Sequence, residues 1–424
     1  MSRLPAGGGD AAVGLAGATP HLAAAAAGRR SEVGLACAGG VVEGAFYEVG
    51  VLCALQEAIE GVDLRRLGVY VGVSSGALIT ACLANGISPH TLSRAIVSRA
   101  DPSLNLRPEV LFTPATGEYV RRLGRIPDTV GKALLHHLRH PLDISAFGSL
   151  LELGALVPAG VFDSRPIERF LARAFAEEGR TNDFRELDAK LRTVAVDLDT
   201  SEPVAFGAAG RAHVPISKAV QASTALPGFY CPVEIDGRSY IDGVARRTLN
   251  ASLALDEGAE LLFCVNPIVP VRLDGYGPER GRELVRHGLP SVLSQTFRML
   301  VHSRMRTGFK YYEHAYPGAD VILIEPELGE MNLFFSNIFS FRNRRYVCEH
   351  AYAATRRHLL ARADELDATL GRHGSRLRRE VLREPRRLFD HGKDDVAEGV
   401  PVTKSARGVL QRLDRVLEEL APTG

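Results

Sequence analysis

The sequence has no excess of charge of one sign: 51 Lys and Arg stand against 50 Asp and Glu, for a formal net charge of +1 over 424 residues. Such a chain has no global basic field for nucleic acid and no acidic tail, so nucleic acid is excluded as a partner on composition. Any attraction to an anionic surface must come from local clusters. Cysteine is scarce as well: there are six, none in a C-x-x-C pair, which argues against a zinc ribbon or a dithiol redox motif. Most stand in apolar runs such as Gly34–Cys37 and Leu261–Val265, and they read as small buried hydrophobes of a reducing, cytoplasmic compartment. No uncharged apolar run is long enough to span a bilayer. Residues 1–30 are rich in Ala and Gly without the leucine-rich core of a secretory signal, and they read as a disordered extension.

What the chain does carry is an alternation of apolar strands and amphipathic helices. Glu32–Ala38 reads as a buried strand followed by a glycine turn. From Gly44 to Glu60, Ala45, Val49, Leu52, Leu55 and Ile59 form a helical stripe, with Gly61 as the expected C-cap. Val69, Val71 and Val73 mark a second strand, and Ala77–Ala84 a second helix stopped by Asn85-Gly86. Strand, helix, strand, helix with short connections predicts an α/β fold whose parallel sheet is covered on both faces.

Residues from about 88 to 160 are mostly helical in pattern and are broken by Pro108, Pro114, Pro127 and Pro141; they read as a helical insertion that forms part of a lid. Leu191–Leu198 reads as a strand, and Asp236-Gly237 as the turn of a hairpin. Leu261–Val265 reads as the last buried strand. Beyond Pro290 a helix is expected, with Phe297, Leu300, Val301 and Met305 on one face, and a long helix is expected to begin near Arg344. The expected organisation is an extension at 1–30, a catalytic domain at 31–365 and a charged helical tail at 366–424, peripheral to catalysis.

The clearest chemistry lies in Gly72-Val73-Ser74-Ser75-Gly76, a G-x-S-x-G match. With glycine this frequent, about 0.2 to 0.3 such matches arise by chance, so the pentapeptide alone decides little. Its context decides more. A strand precedes it and a helix follows, which is what a nucleophile elbow needs to push one serine hydroxyl out of the sheet. Gly72 and Gly76 flank the serine because the turn brings backbones too close for side chains. Ser74 is therefore a candidate nucleophile for acyl transfer.

Such a nucleophile needs an oxyanion site and a base. Ala38-Gly39-Gly40-Val41-Val42-Glu43-Gly44 can supply converging backbone N–H groups ahead of a helix N-terminus. A phosphate loop or a purely structural turn would look similar, although no Walker or dinucleotide fingerprint follows. Among the thirteen histidines none takes an obvious triad position; His213 and His302 have other structural explanations. Asp242, at the end of Ser239-Tyr240-Ile241-Asp242-Gly243, stands out instead, though on local sequence alone a second turn-forming Asp-Gly is the stronger reading.

These residues resemble the patatin-like phospholipase family. Its pattern is a glycine-rich loop, a G-x-S-x-G elbow about thirty residues on, and a later D-G-[GA] aspartate. Here Gly39-Gly40 with Gly44, Gly72–Gly76 and Asp242-Gly243 match it. The helix Gly44–Leu52 and the block Ala222–Tyr230 look like the family's as well, and the resemblance runs from about Glu32 to Pro267. It implies a three-layer αβα fold with a mostly parallel central sheet, a helical insertion and a helical C-terminal extension. It also implies a serine lipid acyl hydrolase of phospholipase A or lysophospholipase type, without cofactor or metal, acting on phospholipid or another lipid ester. The implied catalytic pair is Ser74 as nucleophile and Asp242 as proton acceptor, with Gly39, Gly40 and Val41 forming the oxyanion loop. The sequence departs from the family in that loop: Val41 stands for the third glycine, and Glu43 for the usual Arg or Lys. Valine does not readily take positive φ, so a different local backbone is expected there.

A catalytically weak or silent lipid-binding protein on the same fold, and an esterase with a histidine base, are the competing readings. For membrane contact, Met331–Phe341 packs large apolar residues that suit either an interfacial wedge or core packing. Arg121, Arg122, Arg125, Lys132 and Arg139 suit either a basic amphipathic face or a solvated one. Weak, reversible peripheral membrane association is expected.

Overall fold

The computed structural model describes residues 32–97, 106–124, 158–271, 288–327 and 343–389, together with Leu104, Val285 and Arg286. Eight strands form the main sheet among these residues: β1 (Val33–Cys37), β2 (Val69–Val73), β3 (Lys190–Asp197), β4 (Pro203–Phe206), β5 (Val233–Ile235), β6 (Arg238–Asp242), β7 (Leu261–Val265) and β8 (Asp320–Ile324). Their order is β8-β7-β1-β2-β3-β6-β5, with β4 also paired to β3. The run from β8 to β3 is parallel throughout, whereas β4, β5 and β6 join antiparallel. The helices that matter for the site are α1 (Val41–Ala58), α2 (Ser75–Ala84), α3 (Ile216–Ser223), α4 (Leu289–Ala315) and α5 (Arg344–Ala361).

Strand alternation explains the layering. Leu35, Cys37, Phe263 and Val265 point into one core with the buried residues of α1, α2 and α5. Ala36, Ala38, Val71, Leu262 and Cys264 point into a second core with the short helix Ala251–Asp256 and with Val301, Met305 and Tyr312 of α4. Helices on both faces of a mostly parallel sheet make the three-layer αβα arrangement.

Several expectations are met within a residue or two, including β1, β2, β3, α2, α5 and the hairpin between β5 and β6. Asp236 and Gly237 both take positive φ (51° and 73°), as the tight hairpin turn requires. Others are corrected. The first helix begins at Val41, three residues before Gly44, and ends at Ala58. Ile59–Glu60 then pairs as a two-residue strand with Arg376–Leu377, so Gly61 (φ 92°) turns the chain after that bridge rather than capping the helix. Leu261–Val265 is not the last strand, because β8 follows it and extends the parallel sheet. On α4 the buried stripe is Val301, Met305 and Tyr312, while Phe297 and Leu300 face outward.

The extension at 1–30, most of the helical insertion, Arg125, Lys132, Arg139, Met331–Phe341 and the tail beyond Phe389 lie outside the described residues. Residues 366–389, expected in a peripheral tail, pack on the body: Leu366, Leu370, Leu377 and Leu382 join its core. The six cysteines are free thiols, five of them buried.

Candidate active site

Ser74 sits between the end of β2 and the start of α2 with φ 54° and ψ −121°, outside the relaxed regions for an L-residue. Neighbouring contacts hold it there. Its N–H donates to Ser223 Oγ at 2.8 Å, and Ser223 Oγ donates to the Val194 carbonyl at 2.6 Å, tying the elbow to α3 and β3. Ala77 N–H donates back to the Ser74 carbonyl at 3.0 Å. The flanking glycines are required by contact. A Cβ on Gly72 would lie 2.2 Å from Thr80 Oγ1, and one on Gly76 would lie 2.4 Å from the Cys37 carbonyl oxygen.

Asp242 ends β6, paired with Ala195 of β3, and its N–H donates to the Ala225 carbonyl at 3.0 Å. The carboxyl is buried (1% exposed), as is the Ser74 side chain (7%). Oδ1 accepts the Val244 N–H at 2.9 Å, which orients the group. Burial pushes the carboxyl up to about 7, while hydrogen bonding to the Ser74 side chain and to the Val244 N–H holds it down. Oδ2 is buried and completes no hydrogen bond of good geometry among the described residues. Catalytic hydrogen bonds are often long before substrate binds, so this oxygen suits a proton acceptor in waiting.

The loop before α1 packs directly against the elbow. A Cβ on Gly39 would lie 2.9 Å from Ser74 Cβ, so this glycine admits the close approach of loop and nucleophile. Gly39 N–H donates to the Thr248 carbonyl at 3.3 Å, and Gly40 N–H donates to Ser75 Oγ at 2.9 Å. The first N–H groups of a helix have no intrahelical acceptor, and Val41 N–H has none among the described residues. Val41 itself takes φ 57°. Valine does not readily take this conformation, so the β-branched side chain bears the strain, typically about 1–3 kcal/mol. Packing of Val41 against the core on the α1 side compensates part of it.

Glu43, where a basic residue was expected, is buried and feels the charge of Arg298 from α4. Burial lowers the Arg298 pKa and Glu43 opposes that shift. Both line an open surface cleft with Gly40, Tyr47 and Pro267. Arg298 thus comes to the loop's acidic residue from a helix distant in sequence, which no local pattern could reveal. Ser223 and Ser75 were also missed as site residues. Ser223 lies inside the Ala222–Tyr230 block, where only its small size drew notice, and Ser75 is the variable position of the elbow pentapeptide. Of the two histidines considered, His213 pairs with Asp236 at the exposed hairpin tip (2.9 Å). His302 lies on α4.

Residues 35–255 match the family model described as patatin-like phospholipase, just over half of the chain. Among solved structures, the chain is similar to VipD from Legionella pneumophila, with 15% identity over 78% of this chain and 67% of that one and a TM-score of 0.36.

Proposed function

The chain belongs to the patatin-like phospholipase family, a family of lipid hydrolases, and from that premise we propose that it is a serine lipid acyl hydrolase of phospholipase A or lysophospholipase type, using Ser74 and Asp242 as a dyad. The observation that carries this reading is a strained elbow serine facing a buried carboxyl held near neutrality. In the proposed reaction Ser74 Oγ attacks the ester carbonyl carbon as its proton passes to Asp242 Oδ2. The carbonyl oxygen becomes an oxyanion beside the Gly39–Val41 loop, where each backbone donor is typically worth about 2.7–4 kcal/mol. Of the three loop N–H groups, that of Val41 is the readiest donor, because those of Gly39 and Gly40 already have acceptors. Collapse of the tetrahedral intermediate breaks the ester C–O bond, and the leaving alkoxide takes the proton from Asp242. Water then attacks the acyl-serine, giving its proton to Asp242, and the fatty acid leaves as Ser74 is reprotonated.

An Asp acceptor at about 7 is better matched to this work than one at its ordinary 3.8, since it holds a proton without becoming permanently neutral. A fluorophosphonate probe is expected to label the wild type and not Ser74→Ala. Asp242→Asn is expected to lower kcat on a phospholipid panel by about 10²–10⁴. Absence of Ser74-dependent labelling together with absence of ester turnover would sink the hydrolase reading and leave the competing one, a lipid-binding protein without turnover. That reading draws support from Glu43 in the loop and from the engagement of Gly40 N–H by Ser75.

The second part of the proposal is peripheral membrane contact. No helix among the described residues is long and apolar enough to cross a membrane. Phe297, Met299 and Leu300 of α4 expose 38%, 48% and 54% of their surface, an apolar patch suited to a lipid interface. Co-sedimentation with phosphatidylcholine vesicles is expected and should weaken in Met299→Ser/Leu300→Ser; no sedimentation of the wild type with neutral or anionic vesicles would refute it.

A further inference from the structure

Glu48 is a charged side chain that the proposed reaction does not use, yet it is wholly buried on α1 (0% exposed). Neither of its carboxyl oxygens completes a hydrogen bond of good geometry. Burial raises its pKa well above the carboxylate range, and the Ser75 hydroxyl is the polar neighbour that holds it down. Burial thus favours the protonated carboxyl, which can accept at one oxygen and donate from the other.

The geometry around it leads back to the oxyanion loop. Gly40, Gly44 and Glu48 recur every fourth residue, which aligns them along one face of α1. Ser75 Oγ accepts the Gly40 N–H at 2.9 Å. The same oxygen lies 3.5 Å from where a Gly44 Cβ would stand, so Ser75 faces this stripe, and Glu48 continues it by one turn. Having accepted from Gly40, the Ser75 hydroxyl keeps one proton to donate, and the Glu48 carboxyl is the side chain toward which it can turn. Ser75 adjoins the nucleophile in sequence, while Gly40 adjoins the strained Val41. One hydroxyl therefore couples elbow and loop.

We propose that Glu48 is a positioning residue: by orienting the Ser75 hydroxyl it holds the Gly39–Gly40 peptide, and through it the oxyanion loop that packs on Ser74. The catalytic part of this proposal rests on the Ser74–Asp242 reading, whereas the structural part does not. The inference assigns no contact between Glu48 and substrate.

Two readouts on the full chain separate the two parts. The first is hydrogen–deuterium exchange of the peptide covering Ala38–Gly44. Glu48→Leu and Ser75→Ala are each expected to raise Gly40 exchange by about tenfold, while Glu48→Gln, which keeps a neutral acceptor, leaves it near wild type. The second is steady-state kinetics on a soluble p-nitrophenyl ester. Glu48→Leu and Ser75→Ala are each expected to lower kcat about tenfold with KM changed less than about twofold, and the double variant to be no slower than the slower single one. Should Glu48→Leu not fold, Ser75→Ala against Glu48→Gln carries the same comparison. Unchanged loop exchange in Ser75→Ala, multiplicative losses in the double variant, or a Glu48→Gln as impaired as Glu48→Leu would each overturn the proposal. A loop that responds as expected in a chain without Ser74-dependent turnover would sustain the positioning role and refute the hydrolase reading.

Discussion

In the proposed dyad, Asp242 is a residue set against stability by its burial. Its carboxyl titrates at about 7 in the folded chain, against an ordinary 3.8, because burial disfavours the charge. A raised pKa means that the folded state binds the proton more tightly than the unfolded chain does. The contribution to stability is therefore fully present below about pH 4 and is lost as pH rises through about 7. Asp242→Asn keeps an oxygen to accept the Val244 N–H and removes the buried charge. The variant is expected to unfold at a higher temperature than wild type at pH 8, by about 1–4 kcal/mol in stability, with the gap closing toward pH 4. Over the same range the wild-type kcat/KM is expected to fall on the acid side with a midpoint near 7, as the acceptor becomes protonated. Melts and pH–rate profiles on the two proteins check both statements; an Asp242→Asn variant less stable than wild type at pH 8 would refute the account of the shift. At this scale the sequence was partly legible. Ser74 was marked by its glycines, but the environment that distinguishes Asp242 from a turn aspartate such as Asp236 is assembled from β3, β6 and the elbow, and no local pattern encodes it.

At the scale of elements, the elbow works because two strands end together. β1 and β2 pair in parallel with Cys37 beside Gly72, which brings the loop after β1 and the turn after β2 to one edge of the sheet. Gly76 is the tightest point of that meeting, since a Cβ there would lie 2.4 Å from the Cys37 carbonyl oxygen and 2.7 Å from that of Ala38. Both obstacles are backbone, so relief requires β1 and the loop to move. Gly76→Ala is expected to destabilise the chain by about 1–3 kcal/mol and to lower activity at least about tenfold, because the displaced segment leads into Gly39. Gly86 is the control. It takes φ 76° with nothing near its Cβ position, so Gly86→Ala strains only its own backbone. That variant is expected to lose about 1 kcal/mol and keep its kcat. Equal kcat losses in the two variants, measured by ester turnover and urea titration, would refute the contact argument. Elements built from strong periodicity were readable in the sequence, such as α1, α2 and the β5–β6 hairpin. β8 was not, because Asp320–Ile324 is a short apolar run after a long helix and its strand character comes from pairing with β7. The outward-facing Phe297 and Leu300 misled for a related reason: periodicity marks an apolar stripe without saying which flank of it the sheet will cover.

For the molecule as a whole, the decisive correction concerns where the catalytic body ends. An arginine-rich segment after residue 365 reads as a solvated tail, since charge dilutes its apolar pattern. Its arginines instead bind the body, Arg372 pairing with Asp320 at 2.7 Å and Arg376 with Glu60 at 2.6 Å, and carbonyls of the segment accept from an arginine of α5. Arg356 of α5, nearly buried, donates to the Val381 and Glu384 carbonyls at 2.5 and 2.8 Å and to Glu57 Oε2 at 3.2 Å. Arg378 N–H donates to the Ala58 carbonyl at 2.7 Å, closing the end of α1. Between these polar ties Leu366, Leu370, Leu377 and Leu382 are almost fully buried. Each such leucine is worth about 1.5–3 kcal/mol, so the four together match the whole stability of a typical domain, about 5–15 kcal/mol. Removal of residues 366–424 would also strand Arg356 beside Glu57 with two of its carbonyl acceptors gone, a further cost for a buried cation. A chain ending at residue 365 is therefore expected to lose cooperative thermal unfolding and Ser74-dependent labelling together, although every residue of the proposed dyad and loop is retained. Circular dichroism and fluorophosphonate labelling of that truncation decide the matter. A truncated chain that melts cooperatively and labels like the full-length protein would return residues 366–389 to the status of a dispensable tail. The expected loss would place the boundary of the folded body beyond residue 365, with the far end of α1 held by residues more than three hundred positions away from the loop it begins in.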